Sequence, residues 1–301
     1  MLRPKRDAAR TSGFADFCQS LAACYAHLVH GLQAALDGDS HEIPGGERGV
    51  VVGATLWVLG SAGWMPRAGQ ETSCFLLETD EQLIMLDAGT GVANLELAAE
   101  ALQRHDRMSV LLSHYHLDHV VGLMYLKRFV ADKRVDVYGP GRPVYPKTTQ
   151  EYAGDLLQSA LYSSGPCGFA REVHYHDYGG RDFRVGDLPV AVKAQSHSAP
   201  SFQLCLGDLV TYATDTSFDA AAWENCSPSK VLLHECWQLG AGDPRHTSVE
   251  ALAAGLPLER FGRTLLVHHN PSWSDGERAE VERVAARRGI ELARDGMTLT
   301  L

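Results

Sequence analysis

The chain has 301 residues, 45% of them hydrophobic and 21% charged, a balance that excludes disordered, fibrous and membrane-spanning classes and allows a sizeable core. Lys and Arg number 27 against 37 Asp and Glu, a formal charge of −10, so the overall field repels polyanions. No apolar run approaches the roughly 18 residues that span a bilayer, and the seven cysteines are odd in number and form no CxxC pair, which disfavours a disulfide framework and points to a reducing compartment.

The start MLRPKRDAARTSG is basic and precedes a mildly apolar stretch, the outline of a secretory signal. Asp16, Gln19, His27, His30 and Gln33 interrupt that stretch and no small-residue cleavage site follows, so cytoplasmic residence is expected. Phe14, Phe17, Leu21, Tyr25, Leu28 and Leu32 recur at spacings of three and four, which predicts an amphipathic helix over 14–36. It would cover the core or build a homodimer interface. The polar, Gly/Pro-rich stretch at 37–49 reads as a linker, so residues 1–48 are expected to form a helical extension and 49–301 the main domain.

Beyond it, VVGATLWVLGS, TSCFLLET and EQLIMLDAG predict β-strands, with a hairpin break at Thr79-Asp80. Residues 92–104 have helix-forming composition and MSVLLSH at 108–114 reads as a buried strand; strand, helix, strand is an α/β signature. VDVYGP, REVHYHDY, LPVAVKAQSH, SFQLCLGD and LVTYATD are five further strand candidates. SVEALAAGL and SDGERAEVERVAARRG read as helices, the second capped by Ser274, and MTLTL closes the chain with a short strand. Residues 141–170 fit neither pattern and are expected to form a partly helical lid, with Tyr145, Tyr152, Tyr162 and Phe169 as candidate substrate contacts.

The chemistry concentrates where the strand at 108–114 ends. His114-Tyr115-His116-Leu117-Asp118-His119 places three imidazoles and a carboxylate within six residues. Neutral imidazole and carboxylate suit zinc, manganese or iron, and a loop can turn alternate side chains toward two neighbouring cations.

HxHxDH after a strand, followed by a later His, Asp and His, resembles the metallo-β-lactamase-fold superfamily over about residues 55–272. The Gly-rich GSAGWMPRAGQETSCFLLE and the strand end LIMLDAGTG are similar to its ribonuclease Z-like and cyclic-phosphodiesterase-like branches. The resemblance implies a four-layer αββα sandwich and a metal-dependent hydrolase. It further implies that His114, His116 and His197 hold one divalent metal, that Asp118, His119 and His268 hold a second, and that Asp215 bridges them, with zinc expected first and manganese or iron next. His268 is chosen over His269 because the family places this ligand three residues before the proline, here Pro271. Asp87 is expected to orient a ligand histidine from behind. Leu233-His234-Glu235-Cys236 and Arg245-His246-Thr247-Ser248 resemble two further segments of these branches, which makes His246 the candidate general acid and Glu235 its orienting partner.

For the substrate, the resemblance implies a small phosphodiester such as a cyclic nucleotide. The tRNA-gripping arm of short bacterial ribonuclease Z lies between the third ligand His and the bridging Asp, whereas here His197 and Asp215 are only 18 residues apart. A basic loop of the tRNA-processing enzymes is replaced by Pro66-Arg67-Ala68-Gly69-Gln70-Glu71. Both points, with the negative charge, set a nucleic-acid partner as unlikely. The same metal set serves lactone, thioester and β-lactam hydrolases and iron-dependent redox enzymes, so those activities stand as alternatives, with tRNA 3′-processing behind them and a catalytically silent binding protein last.

Overall fold

The computed structural model describes residues 53–158 and 169–301. The helix expected over 14–36, the linker, the boundary at 48/49, Tyr162, Cys18, Cys24 and Cys167 lie outside them.

Two seven-stranded sheets organise the described residues. The first takes β1 (Ala54–Gly60), β2 (Cys74–Thr79), β3 (Leu83–Leu86), β4 (Arg107–Leu111), β5 (Arg134–Gly139) and β6 (Glu172–Asp177) in chain order. The second takes β7 (Phe183–Val185), β8 (Leu188–Gln195), β9 (Ser201–Leu206), β10 (Val210–Ala213), β11 (Ser229–Glu235), β12 (Phe261–Val267) and β13 (Ile290–Leu292). The last strand, β14 (Thr298–Thr300), returns to pair with β1 in the first sheet. Each sheet opens with antiparallel pairs and continues in parallel ones, β3 to β6 in the first and β10 to β13 in the second. The turn between β2 and β3 is closed by Thr79, whose N donates to Gln82 O and whose Oγ1 accepts from Gln82 N at 3.0 Å, as hydroxyl side chains do at tight turns.

Side-chain alternation sorts the strands into layers. Ile84 and Leu86 of β3, with Leu265 and Val267 of β12, face into the core between the sheets. Their neighbours Leu83 and Met85 face a second core shared with Val92, Leu95, Leu123 and Leu126. Leu266 faces a third, shared with Val249, Leu252, Val281 and Ala285. The result is the four-layer αββα sandwich that the sequence implied. Ser274 and Glu277 cap the helix Asp275–Ala286 reciprocally, as a capping box.

Three differences from the sequence expectation have physical causes. The segment at 92–104 is a 3-10 helix over Thr90–Ala98 before it becomes an α-helix over Ala99–Arg104. Gly91 lies against Cys74 and Gly60, where an added Cβ would sit 2.7 Å from the Cys74 Cβ, so its tight winding follows the sheet. The sequence does not delineate strands β7, β11, β12 and β13; β11 is buried on both faces, which removes the alternation that marks a half-exposed strand. Phe169 belongs to the outer core of the first sheet, which corrects its assignment as a substrate contact. Tyr145 and Tyr152 pack on Tyr115 with ring centroids 4.8 and 4.3 Å away, and Tyr145 Oη donates to Pro200 O at 2.6 Å. Cys74, Cys205, Cys226 and Cys236 are buried and unpaired. Among the described residues no helix is long and apolar enough to cross a membrane.

Candidate metal centre

The chemistry-bearing residues collect where strands end. Asp87 follows β3, the HYHLDH segment follows β4, His197 follows β8, Asp215 follows β10, Glu235 ends β11 and His268 follows β12. Carboxyl ends of adjacent parallel strands are where an open α/β sheet leaves a crevice for ligands. Asp87, Asp215 and His268 adopt φ of +52°, +50° and +49°, the left-handed region that residues other than glycine seldom occupy. Each such residue costs about 1–3 kcal/mol and persists only where its surroundings impose it. Here each turn swings a functional side chain toward the same point.

Asp215 occupies the middle of the cluster. Its Oδ1 lies 3.2 Å from His197 Nε2, while its Oδ2 lies 2.8 Å from His119 Nε2, 3.0 Å from His268 Nε2 and 4.0 Å from His114 Nε2. Asp118 Oδ2 stands 3.3 Å from both His119 Nε2 and His268 Nε2, and His116 Nδ1 is 3.3 Å from His197 Nε2. Donor atoms of His114, His116, His197 and Asp215 lie within 4.8 Å of one another, as do those of Asp118, His119 and His268 and those of Asp215, His246 and His268. Bonds of about 2.1 Å to a tetrahedral ion place two donors about 3.4 Å apart, close to these separations. Buried His114 Nε2 and His119 Nε2 have no hydrogen-bond partner, a costly state for imidazole nitrogens unless a cation receives their lone pairs. The donor set therefore fits divalent metal.

Asp87 fixes which nitrogens point inward. It is fully buried and accepts from Ser113 N at 2.7 Å, Ser113 Oγ at 2.7 Å and Tyr212 Oη at 2.7 Å. A carboxylate only accepts, so His119 Nδ1, 2.7 Å away, carries a proton; burial works against a charged ring, yet Asp118, Asp87 and Asp215 raise it well above the usual imidazole value, and a cation bound at Nε2 would replace the second proton and leave that nitrogen bare. Ser113 Oγ spends its proton on Asp87 and so accepts from His114 Nδ1 at 3.0 Å, which leaves His114 Nε2 bare as well. One carboxylate thus sets the tautomer of two rings, where the sequence pointed to one. Ser113 directly precedes the HYHLDH segment, a signal of position alone; Tyr212 had none.

Electrostatics agree with a cation site. Burial raises the Asp215 carboxyl, but His268, His119 and His114 outweigh it and hold the group well below the ordinary carboxylate range. Burial takes His114 well below the usual imidazole value and His197 to about 4, so both rings are neutral. Burial also works against a charged His268, yet Asp215 and Asp118 push it up to about 10.

The Gly-rich loop after β1 supports His268 from one side. Gly63 lies so close that a Cβ there would stand 2.4 Å from the His268 ring. Its amide donates to His269 O at 2.9 Å, and Trp64 N donates to Asp118 Oδ2 at 2.7 Å. Asp295 anchors the loop by accepting from Ser61 N and Oγ at 2.9 and 2.7 Å and from Glu71 N at 2.6 Å. His269 faces away from the cluster: its Nε2 donates to Leu266 O at 2.8 Å and its Nδ1 accepts from Gln70 Nε2 at 3.2 Å. Gly63→Ala is accordingly expected to displace the His268 ring and cut turnover about 100-fold, the scale of a 1 Å misplacement, with the fold intact by circular dichroism. An unchanged rate would show that the ring tolerates the added methyl.

His246 and Glu235 meet as the sequence implied. His246 Nδ1 donates to Glu235 Oε2 at 2.9 Å, while Glu235 Oε1 accepts from Thr216 N at 2.7 Å and Thr247 N at 3.3 Å. Burial raises the Glu235 carboxyl against the lowering effect of His246. Trp237, not singled out from sequence, stacks on the His246 ring with centroids 4.6 Å apart. Neighbouring His234 turns to the outer face, beside Trp223. A cavity of about 270 Å³ opens over His116, Asp118, His197, His268 and His246, with Trp64 and Trp237 among its walls.

The sequence family described as "Anti-Pycsar protein Apyc1" matches residues 55–290. A ribonuclease Z of Methanopyrus kandleri is 29% identical over 256 residues, 78% of this chain and 83% of that protein. The metallo-β-lactamase fold protein YhfI from Bacillus subtilis superposes with a TM-score of 0.62 at 17% identity, over 83% of this chain and 99% of that one. A diphosphatase from the PhnP family superposes with a TM-score of 0.62 at 18% identity, over 82% and 97%. A relative named as a ribonuclease leaves the expectation against a nucleic-acid partner without support.

Proposed function

The chain belongs to the Anti-Pycsar protein Apyc1 family and is a metal-dependent hydrolase of the metallo-β-lactamase fold; from that premise we propose that it is a dinuclear phosphodiesterase acting on a small phosphodiester such as a cyclic nucleotide. His114, His116 and His197 would hold one divalent ion, Asp118, His119 and His268 the other, and Asp215 would bridge them, with zinc the first candidate. Bound there, the cations would supply Lewis acidity and neutralise charge on phosphoryl oxygens.

The observation that carries the proposal is the Glu235–His246 pair beside this cluster. With Nδ1 committed to Glu235, His246 has Nε2 left to give a proton to the departing alkoxide. Glu235 is held by two backbone amides and orients the ring, while Trp237 fixes its plane. The donor is thus oriented before substrate arrives. A thioester has less need of such an acid, since its thiolate departs readily unprotonated.

His246→Ala is expected to slow diester hydrolysis by about 10²- to 10⁴-fold with metal content unchanged. Loss of metal in that variant would make His246 a ligand, since it also groups with Asp215 and His268. Turnover of bis(p-nitrophenyl) phosphate beside a lactone and thioester panel decides the class. Acyl hydrolysis without diester cleavage would overturn the proposal. The match to a ribonuclease Z favours a second reading in which the diester belongs to tRNA; cleavage of a tRNA precursor faster than of cyclic nucleotides would establish it.

A further inference from the structure

Trp64 combines two features that seldom coincide. The residue is 64% exposed, and its backbone sits at φ +62°, a conformation that bulky residues avoid. The loop is nonetheless tied down: Trp64 N donates to Asp118 Oδ2, Met65 N to Gly63 O at 2.7 Å and Gly63 N to His269 O. An indole held out in solvent on so constrained a backbone serves neither the core nor the loop. It borders the same cavity as the donor cluster, with Trp237 also in the wall. The polar groups of that cavity suit a phosphate; what Trp64 adds is a flat apolar face, the surface on which any nucleobase can stack.

We propose that Trp64 is a specificity-determining platform that stacks the planar base of a nucleotide substrate while its phosphodiester lies over the His and Asp cluster. This rests on the phosphodiesterase reading above and names the substrate class within it. Trp64→Gly is the first test, because glycine adopts a positive φ without strain and keeps the amide that donates to Asp118; any loosening of that amide falls equally on substrates with and without a base.

The probes are a 3′,5′-cyclic nucleotide and its abasic analogue, a methyl riboside 3′,5′-cyclic phosphate, with the metal-loaded enzyme. Wild type is expected to favour the cyclic nucleotide, and Trp64→Gly to shrink that preference about ten-fold through KM, with Trp64→Phe retaining most of it. A nucleoside monophosphate should also quench indole fluorescence in wild type and much less in Trp64→Phe. Equal losses on both substrates, or a preference and a quench that survive the substitutions, overturn the platform and leave the phosphodiesterase reading in place. A wild type that cleaves neither diester overturns that reading, and the platform with it.

Discussion

Asp215→Ala is expected to abolish diester hydrolysis and to reduce metal bound per chain, measured by mass spectrometry of protein purified without chelator. Both Asp215 oxygens are engaged, one toward His197 and the other toward His119, His268 and His114, so this one carboxylate touches both groups of donors. Removing an outer partner of a metal ligand costs about 10- to 100-fold in affinity or activity; the loss here should exceed that. Alanine also inherits φ +50°, which adds strain. Asp215→Asn separates the two effects, since asparagine tolerates that conformation and keeps the size of the side chain while losing its charge. Normal metal content and rate in either variant would remove Asp215 from the centre of the site.

The parts of this site that could be read from sequence are those carried by residue type and short spacing. The side chains of HxHxDH, His197, Asp215 and His268 come together in space, and Glu235 meets His246 across ten intervening residues. The supporting geometry was illegible because it depends on contacts between distant segments. Gly63 lies against His268, Trp64 binds Asp118 through its backbone, and Asp295 holds the loop from near the far end of the chain. Positive φ at Asp87 and His268 likewise leaves no mark in composition. The fold shows the same division. Helix caps such as Ser274 with Glu277 are local and were visible, whereas β11, buried on both faces in the middle of its sheet, carries no periodicity to see.

Asp87→Ala should show how much of the fold depends on the same network that shapes the metal centre. The fully buried carboxylate accepts from a backbone amide, two hydroxyls and an imidazole. Alanine leaves those donors without a partner, and each buried donor left unsatisfied costs about 1–3 kcal/mol, so the urea midpoint should fall well below that of wild type. Asp87→Asn should behave differently. The amide must keep its oxygen toward the Ser113 N–H, which cannot move, and so turn its NH2 toward Ser113 Oγ, Tyr212 and His119. The hydroxyls can rotate, but His119 can accept at Nδ1 only by moving its proton to Nε2, the nitrogen that faces Asp215. A protonated Nε2 cannot bind metal. Two N–H donors cannot serve all three groups, so the asparagine variant is expected to fall between alanine and wild type in stability while losing about 10- to 100-fold in metal affinity by chelator competition. If it binds metal as tightly as wild type, Asp87 does not set the tautomer of His119, and the carboxylate serves the fold alone.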